Sequence, residues 1–220
     1  ARDGCVDDNG HGTHVAGLVA GDSVGAAPGA ALYAAKVLDA NGSGNEATVG
    51  LGIDWAIDRL PTLINMSLGS PQPSPMEEAL VQAALEAGIT ICAAAGNEGR
   101  GKSYPAAYAG VISVAAVDHH NEHAYFSNID PTVDVSAPGV DIMSCVPGGY
   151  AKLSGTSMAS PLACGVTALI AATGCSGLES ALESTSQELG VHEKYGAGLV
   201  RADIGVGALV HKIFNHKMQE

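Results

Sequence analysis

Short apolar runs alternate with amphipathic segments along almost all of the 220 residues, and this alternation is the feature that most restricts the fold. Such a succession is typical of βαβ units, in which helices join parallel strands and cover the sheet. The predicted strands span residues 32–38, 63–67, 89–95, 111–117 and 133–136. The predicted helices span residues 12–20, 46–59, 75–87, 157–173 and 178–187, with another near 202–213. The sequence therefore predicts an α/β fold with a mostly parallel central sheet flanked by helices.

The composition fits a single domain and argues against two kinds of partner. Hydrophobic residues make up 46% of the chain and charged residues 15%, with 29 glycines, which suits a closely packed domain. The apolar stretches are interrupted well before the roughly 18 residues that a membrane span needs, so no membrane partner is predicted. The formal net charge of −13 argues against nucleic acid, because nucleic-acid-binding proteins present basic surfaces. The chain starts at Ala1, and no signal peptide is visible.

The cysteines do not indicate a disulfide framework or a zinc site. Their odd count cannot pair completely, and no C-x-x-C spacing is present. Two of them, Cys92 and Cys164, stand in apolar runs and are predicted to be small buried side chains. The five positions are Cys5, Cys92, Cys145, Cys164 and Cys175.

The first segment that could take part in catalysis or binding lies at a predicted transition from loop to helix. Its sequence is Asp8-Asn9-Gly10-His11-Gly12-Thr13-His14. Glycines on both sides of His11 would allow a backbone or a substrate to approach the imidazole closely. By itself the pattern fits a structural histidine equally well. His11 and His14 lack the i,i+4 spacing with an intervening glutamate that zinc-binding helices use, so no metal role is predicted for them.

A second segment, Ala93-Ala94-Ala95-Gly96-Asn97-Glu98-Gly99, places small residues and an amide at the end of a predicted strand. Ligands of parallel α/β sheets bind at the carboxyl ends of the strands. Asn97 could donate hydrogen bonds to a ligand there from its side-chain amide. A plain Asn-Glu turn is the alternative interpretation.

A third segment, Leu153-Ser154-Gly155-Thr156-Ser157-Met158-Ala159-Ser160-Pro161, opens a helix rich in alanine, leucine and valine. Ser157 is predicted to lie at the N-terminus of this helix. Unpaired backbone N–H groups and the helix dipole stabilise developing negative charge at such a place. The alternative is an N-cap serine, and the two roles do not exclude each other.

Taken together and in this order, the segments around His11, Asn97 and Ser157 resemble the subtilisin-like serine proteases, the subtilases. The similarity runs through nearly the whole chain, and it includes a Tyr-Pro turn that the family holds in the cis form. The further similar segments lie at residues 37–44, 64–69, 104–105, 137–139 and 195–198. The resemblance implies a three-layer, subtilisin-like sandwich and a serine endopeptidase that acts on peptides or proteins, is secreted and requires no cofactor.

The resemblance also implies roles for individual residues. His11 would act as the general base for Ser157. The amide of Asn97 and the backbone N–H of Ser157 would hold the oxyanion, a use of a side-chain amide for which subtilisin is the standard example. Two tripeptides would bind substrate, one as a strand partner and one as a wall of the P1 pocket. These are Ser67, Leu68 and Gly69 for the strand, and Ala94, Ala95 and Gly96 for the wall.

The third acid of the triad is not recognisable. In the family it ends a strand roughly thirty residues before the histidine, whereas ten residues precede His11. Asp3, Asp7 and Asp8 lie in that stretch, but none ends an apolar strand followed by Thr-Gly or Ser-Gly. We therefore expect residues 1–220 to be a subtilase catalytic domain that lacks its N-terminal strands and the segment or propeptide before them. We expect the isolated chain to be unstable or weakly active.

Metal binding is expected at most at one place. The connection at residues 18–32 lacks the Asn-rich insertion that forms a tight calcium loop in bacterial subtilisins. A weaker structural calcium site could use Asp134, although a surface aspartate is the simpler interpretation. The histidines His119, His120 and His123 are interpreted as part of a polar loop.

Two other functions stay open from the sequence. The run at residues 155–159 approaches the G-x-S-x-G elbow of α/β-hydrolase esterases, with Asp203 and His211 following in the order of that fold. That interpretation leaves the segments of His11 and Asn97 unexplained. A catalytically impaired fragment, or a pseudoprotease with a binding role on the same fold, is the second alternative, because no third acid is recognisable.

Overall fold

The central sheet is parallel throughout and follows the predicted strands closely. In the computed structural model, which describes residues 6–207, four strands lie side by side in chain order. They are β1 (Leu63–Met66), β2 (Thr90–Ala94), β3 (Val111–Val117) and β4 (Val135–Pro138). Every residue of β3 is buried, because β3 has a strand on each side and its faces are covered by other elements. The predicted fold class is confirmed.

Six helices with both ends inside the described residues accompany the sheet, and five of them match predicted helices with small differences at their ends. The third predicted helix starts with proline at its first position, and Gly88 follows it with a φ of 81°, as the sequence indicates. Of the helix predicted near 202–213, residues 202–207 are helical, and the rest lies outside the described residues. The six are α1 (His11–Ala20), α2 (Glu46–Ile57), α3 (Pro75–Glu86), α4 (Thr156–Ala172), α5 (Leu178–Ser184) and α6 (His192–Tyr195).

Helices cover both faces of the sheet. Because successive residues of a strand point to opposite faces, neighbouring residues of one strand pack against different helices. On one face Cys92 and Ile112 pack with α4 and α5 in one apolar cluster. On the other face Ile91 and Ala93 pack with α2 and α3. Cys92 and Cys164 are 0% and 4% exposed, so their predicted burial is confirmed. The two clusters give the helix–sheet–helix layering that the sequence predicts.

The prediction of a strand at residues 32–38 is wrong. Its residues form no strand, and the side chains of Leu32 and Tyr33 are 51% and 65% exposed. Its apolar pattern suits a strand, but a strand also needs a neighbour to pair with its backbone groups. Within residues 6–207, β1 pairs only with β2, and residues 32–38 make no backbone–backbone hydrogen bond.

An antiparallel hairpin follows the sheet and was not predicted. It consists of β5 (Ile142–Val146) and β6 (Gly149–Leu153). α1 packs against both β5 and α4, so the hairpin and α4 together support the helix that begins at His11. None of the described helices is both long enough and apolar enough to cross a membrane.

Candidate active site

Three separate parts of the fold meet at one open cleft. His11 begins α1, Asn97 follows β2, and Ser157 lies in the first turn of α4. All three residues line the same cavity of about 740 Å³, a size typical of ligand sites. The structure therefore brings together the three residues that the sequence singles out, although they are far apart along the chain.

The turn before His11 is held by Asp7. The Asp7 carboxylate accepts hydrogen bonds from the backbone N–H groups of Asn9, Gly10 and Thr13 and from the Thr13 hydroxyl. Burial by itself raises the pKa of Asp7, but these hydrogen bonds outweigh it and hold the pKa well below its ordinary value. Asp7 thus fixes the entry into α1 and the direction in which His11 leaves the turn.

The carboxylates near His11 are engaged elsewhere. Both oxygens of Asp7 serve the turn, and Asp8 forms an ion pair with Lys36 at 2.8 Å. Asp3 lies outside the described residues. Within residues 6–207 no carboxylate forms a hydrogen bond with the His11 ring.

The surroundings of His11 favour its neutral form. Burial lowers the pKa of His11, and the nearby His14 lowers it further, while Asp7 opposes the change. A neutral imidazole has a ring nitrogen free to accept a proton. His11 is therefore in the protonation state that a general base needs at neutral and alkaline pH.

His14 has a structural role. Its ring is fully buried, and Nε2 lies 3.0 Å from the carbonyl oxygen of Ile142 and 3.1 Å from that of Ala151. Carbonyl oxygens only accept, so Nε2 holds the proton and donates to the hairpin. The arrangement ties α1 to β5 and β6.

Thr156 orients the amide of Asn97. Asn97 Oδ1 accepts from the backbone N–H of Thr156 at 2.9 Å and from its hydroxyl at 3.0 Å. The Thr156 oxygen in turn accepts from the backbone N–H of Gly96 at 3.2 Å. Because Oδ1 is occupied, the Nδ2 donor of Asn97 is the end left for a ligand in the cleft. Thr156 was not among the predicted site residues, although its position directly before Ser157 was a usable signal.

Ser157 is not the N-cap of α4, so the capping alternative is wrong. The N-cap is Gly155, and α4 starts at Thr156, which places Ser157 inside the first turn, where backbone N–H groups have no helical partner. The hydroxyl of Ser157 lies 3.5 Å from the carbonyl oxygen of Ser67. It shares no hydrogen bond with the His11 ring among the described residues.

The predicted substrate-binding residues border this region in two groups. Ser67 follows β1, and Leu68 and Gly69 continue the chain. Ala94 and Ala95 are each 4% exposed, and Gly96 leads into the turn of Asn97 with a φ of 106°. The substrate roles of all six residues stay predictions.

Two glutamates lie beside Asp134 and form a cluster of three carboxylates with it. Ligand oxygens of Asp134, Glu179 and Glu183 lie within 4.8 Å of one another, and within residues 6–207 this is the sole such grouping of three possible metal ligands. Burial, and then the two glutamates, raise the pKa of Asp134 to about 7, although a backbone hydrogen bond from Ser113 opposes the change. Calcium at Asp134 stays a prediction.

The histidine-rich segment after β3 is a turn, as the sequence indicates. Asp118 accepts from the backbone N–H groups of His120 and Glu122, and the rings of His119 and His120 are exposed, with their centroids 3.8 Å apart.

The peptide bond between Tyr104 and Pro105 is cis, so this feature expected from the resemblance is confirmed.

Comparison with known proteins identifies the family. The chain matches the model of the subtilase family over residues 2–198. It is 48% identical over 207 residues to a thermostable alkaline protease of Halalkalibacterium halodurans. This match covers 89% of the present chain and 57% of that protein. It is 43% identical over 208 residues to subtilisin Savinase of Lederbergia lenta, covering 90% of this chain and 77% of that protein. The fold, the cleft and these matches together place the chain in the subtilase family.

The resemblance noted in the sequence is thereby confirmed, and the esterase alternative receives no support. A subtilisin of Bacillus pumilus is also similar, with 44% identity over 210 residues and coverage of 88% of this chain and 76% of that protein. The chain spans little more than half the length of the Halalkalibacterium protein. The pseudoprotease alternative likewise finds no supporting observation. His211, which the esterase alternative would use, lies outside the described residues.

Proposed function

We propose that this chain is a serine endopeptidase domain that hydrolyses peptide bonds in peptides or proteins. The observation that supports this most is the meeting of His11, Asn97 and Ser157 at one cleft from three separate elements. The similarity to proteins named as proteases and subtilisins also supports it.

In the proposed reaction, Ser157 Oγ attacks the carbonyl carbon of the scissile bond while His11 accepts the hydroxyl proton. The resulting oxyanion is held by Nδ2 of Asn97 and the backbone N–H of Ser157. His11 then gives its proton to the leaving amine as the carbon–nitrogen bond breaks, which leaves an acyl group on Ser157. Attack by water, with His11 again accepting and returning a proton, releases the acid and regenerates the serine.

The substrate backbone is proposed to pair with residues 67–69 as an added strand. This segment continues β1, and the chain turns from it into an antiparallel bridge between Ser70 and Tyr104. The small side chains of Ala94 and Ala95 and the bare backbone of Gly96 would leave room beside the bound chain for a P1 side chain. We further propose an extracellular place of action, by analogy with the family.

The test is covalent labelling by a fluorophosphonate, combined with hydrolysis of a chromogenic peptide, and it is carried out on the full-length protein because the isolated residues 1–220 are expected to be weakly active. Ser157→Ala and His11→Ala should each abolish hydrolysis, with a loss approaching the roughly 10⁶-fold known for such changes in subtilisin itself. Ser184→Ala and His119→Ala are matched controls at exposed positions and should behave like the wild type.

Peptide mapping of the labelled protein then separates the alternatives. Label on Ser157 that disappears in His11→Ala supports the proposal. A wild type that folds but neither reacts with the fluorophosphonate nor cleaves peptides would favour a pseudoprotease. Hydrolysis that survives His11→Ala would point to the esterase arrangement.

A further inference from the structure

The carbonyl group of Ser157 lacks its usual partner within α4. Pro161 lies inside this helix, four residues after Ser157. In an α-helix the carbonyl of one residue accepts from the N–H of the fourth residue onward, and proline has no N–H. The residue with the proposed nucleophile therefore needs a hydrogen-bond donor from outside its own helix.

Ser67 supplies that donor. Its hydroxyl lies 2.8 Å from the carbonyl oxygen of Ser157, and the Ser157 hydroxyl lies 3.5 Å from the carbonyl oxygen of Ser67. Since a carbonyl can only accept, the single hydroxyl proton of Ser67 must point to Ser157. The two residues are thus joined in both directions, and the placement of Ser157 depends on the orientation of the Ser67 hydroxyl.

Asn65 fixes that orientation. Asn65 Nδ2 donates to the Ser67 oxygen at 3.0 Å, which leaves the Ser67 proton free for Ser157. Asn65 Oδ1 accepts from the hydroxyl of Ser160 at 2.7 Å. Each bond in this series has one possible direction, because the first acceptor is a carbonyl and each serine hydroxyl has one proton to donate.

The middle and the far end of the series are anchored in rigid elements. Asn65 belongs to β1 and lies opposite Cys92 of β2 in the parallel ladder. Ser160 belongs to α4 and is fully buried. Two hydrogen bonds of the series therefore connect residues 65–67 to the first two turns of α4, one from Ser67 to the Ser157 carbonyl and one from Ser160 to Asn65. The first of them replaces the helical bond that Pro161 removes.

We propose that Asn65 is a positioning residue for the nucleophile, acting through Ser67 on the Ser157 carbonyl that Pro161 leaves without a helical donor. The inference rests on the proposed peptidase function. Asn65→Asp is the sharpest perturbation, because a carboxylate is nearly the same shape but only accepts. The Ser67 proton would then turn to Asp at position 65 and leave the Ser157 carbonyl without a donor.

The experiment compares kcat and KM for a peptide substrate, with active sites counted by a fluorophosphonate so that unfolded molecules do not lower kcat. Asn65→Asp should lower kcat about tenfold, because a small displacement of a nucleophile is costly to the reaction. KM should change less than about twofold, since only the Ser67 hydroxyl is reoriented and the backbone proposed to pair with the substrate is not altered. Asn45→Asp is the matched control, because aspartate caps a helix such as α2 as well as asparagine does, and its kinetics should stay those of the wild type.

Two further variants keep the test decisive if Asn65→Asp folds poorly. Ser160→Ala removes only the far hydroxyl and should lower kcat by about threefold, in the same direction. Pro161→Ala restores an N–H for the Ser157 carbonyl, so the loss caused by Asn65→Asp or Ser160→Ala should become smaller in that background.

An unchanged kcat in Asn65→Asp, or an equal loss with and without Pro161, would overturn the inference while leaving the peptidase function intact. A rise in KM with constant kcat would also overturn it, because it would assign Asn65 to substrate binding. A wild type that folds but neither labels nor cleaves would instead overturn the proposed function, and this inference with it.

Discussion

Asp134→Asn should make the folded chain more stable at alkaline pH. In the structure the Asp134 carboxylate accepts from the backbone N–H of Ser113 at 2.7 Å, while Glu179 and Glu183 crowd its other side. Burial and these like charges raise its pKa from 3.8 to about 7. An asparagine keeps an oxygen for Ser113 but has no charge, so it removes the repulsion and retains the hydrogen bond.

The magnitude follows from the difference between the folded and unfolded pKa of Asp134. A rise from 3.8 to about 7, at about 1.4 kcal/mol for each unit, sets an upper limit of about 4 kcal/mol. Solvent screening of the partly exposed glutamates reduces this to roughly 2 kcal/mol. Because the folded pKa of Asp134 is raised, its carboxyl group does not lower the free energy of unfolding below about pH 4. It lowers this free energy increasingly as the pH rises from about 4 to about 7.

The assay is urea unfolding in a Ser157→Ala background, which prevents self-digestion, with EDTA present. At pH 9 Asp134→Asn should raise the free energy of unfolding by roughly 2 kcal/mol, and at pH 4 the difference should nearly vanish. Glu122→Gln, on the exposed turn after β3, is the charge-matched control and should show no such pH dependence. A stabilisation that is equal at both pH values would refute the explanation by like-charge repulsion and burial.

Three other outcomes are expected. Calcium added at pH 9 should raise the melting temperature of the parent chain but not of Asp134→Asn, as differential scanning calorimetry would detect, because the ion would neutralise the carboxylate cluster. Thr156→Val should lower kcat about tenfold by removing the hydroxyl, one of the two hydrogen-bond donors that hold the amide of Asn97, whereas Thr156→Ser should retain most activity in the same peptide assay. Asp7→Ala should cost about 1–2 kcal/mol of unfolding free energy at pH 7 in urea titrations. Because the folded pKa of Asp7 is lowered, this difference should shrink as the pH falls below about 4, and a constant difference would contradict the proposed role.

Local sequence patterns were sufficient for most of the regular structure. The run at residues 111–117, apolar except for Ser113, was predicted at its full extent as β3, because such a run is typical of a strand buried in a parallel sheet. The start of α3 was signalled by Pro75 and its end by Gly88, since the fixed φ of proline and the positive φ of glycine are properties of single residues. The segments of His11, Asn97 and Ser157 could also be picked out, because each is a short and distinctive arrangement of residue types.

Other features depend on contacts between distant parts of the chain and could not be predicted in this way. The segment at residues 32–38 has a strand-like pattern, but strand formation also requires a paired neighbour, which the described structure does not provide. The orientation of the Asn97 amide depends on Thr156, 59 residues away. The raised pKa of Asp134 arises first from burial in the folded chain and then from the two glutamates that α5 brings beside it.

By itself, therefore, the sequence determined the kinds of elements, the alternation that produces a three-layer α/β fold, and the three segments proposed to act in catalysis. Periodicity, caps and motifs are properties of neighbouring residues, so they can be read along the chain. Only the tertiary structure decided that Ser157 depends on Ser67 and Asn65 for the hydrogen bond that Pro161 removes. That dependence exists because folding places β1 against α4, and hydrogen bonds are made only between groups that folding brings within about 3 Å of each other.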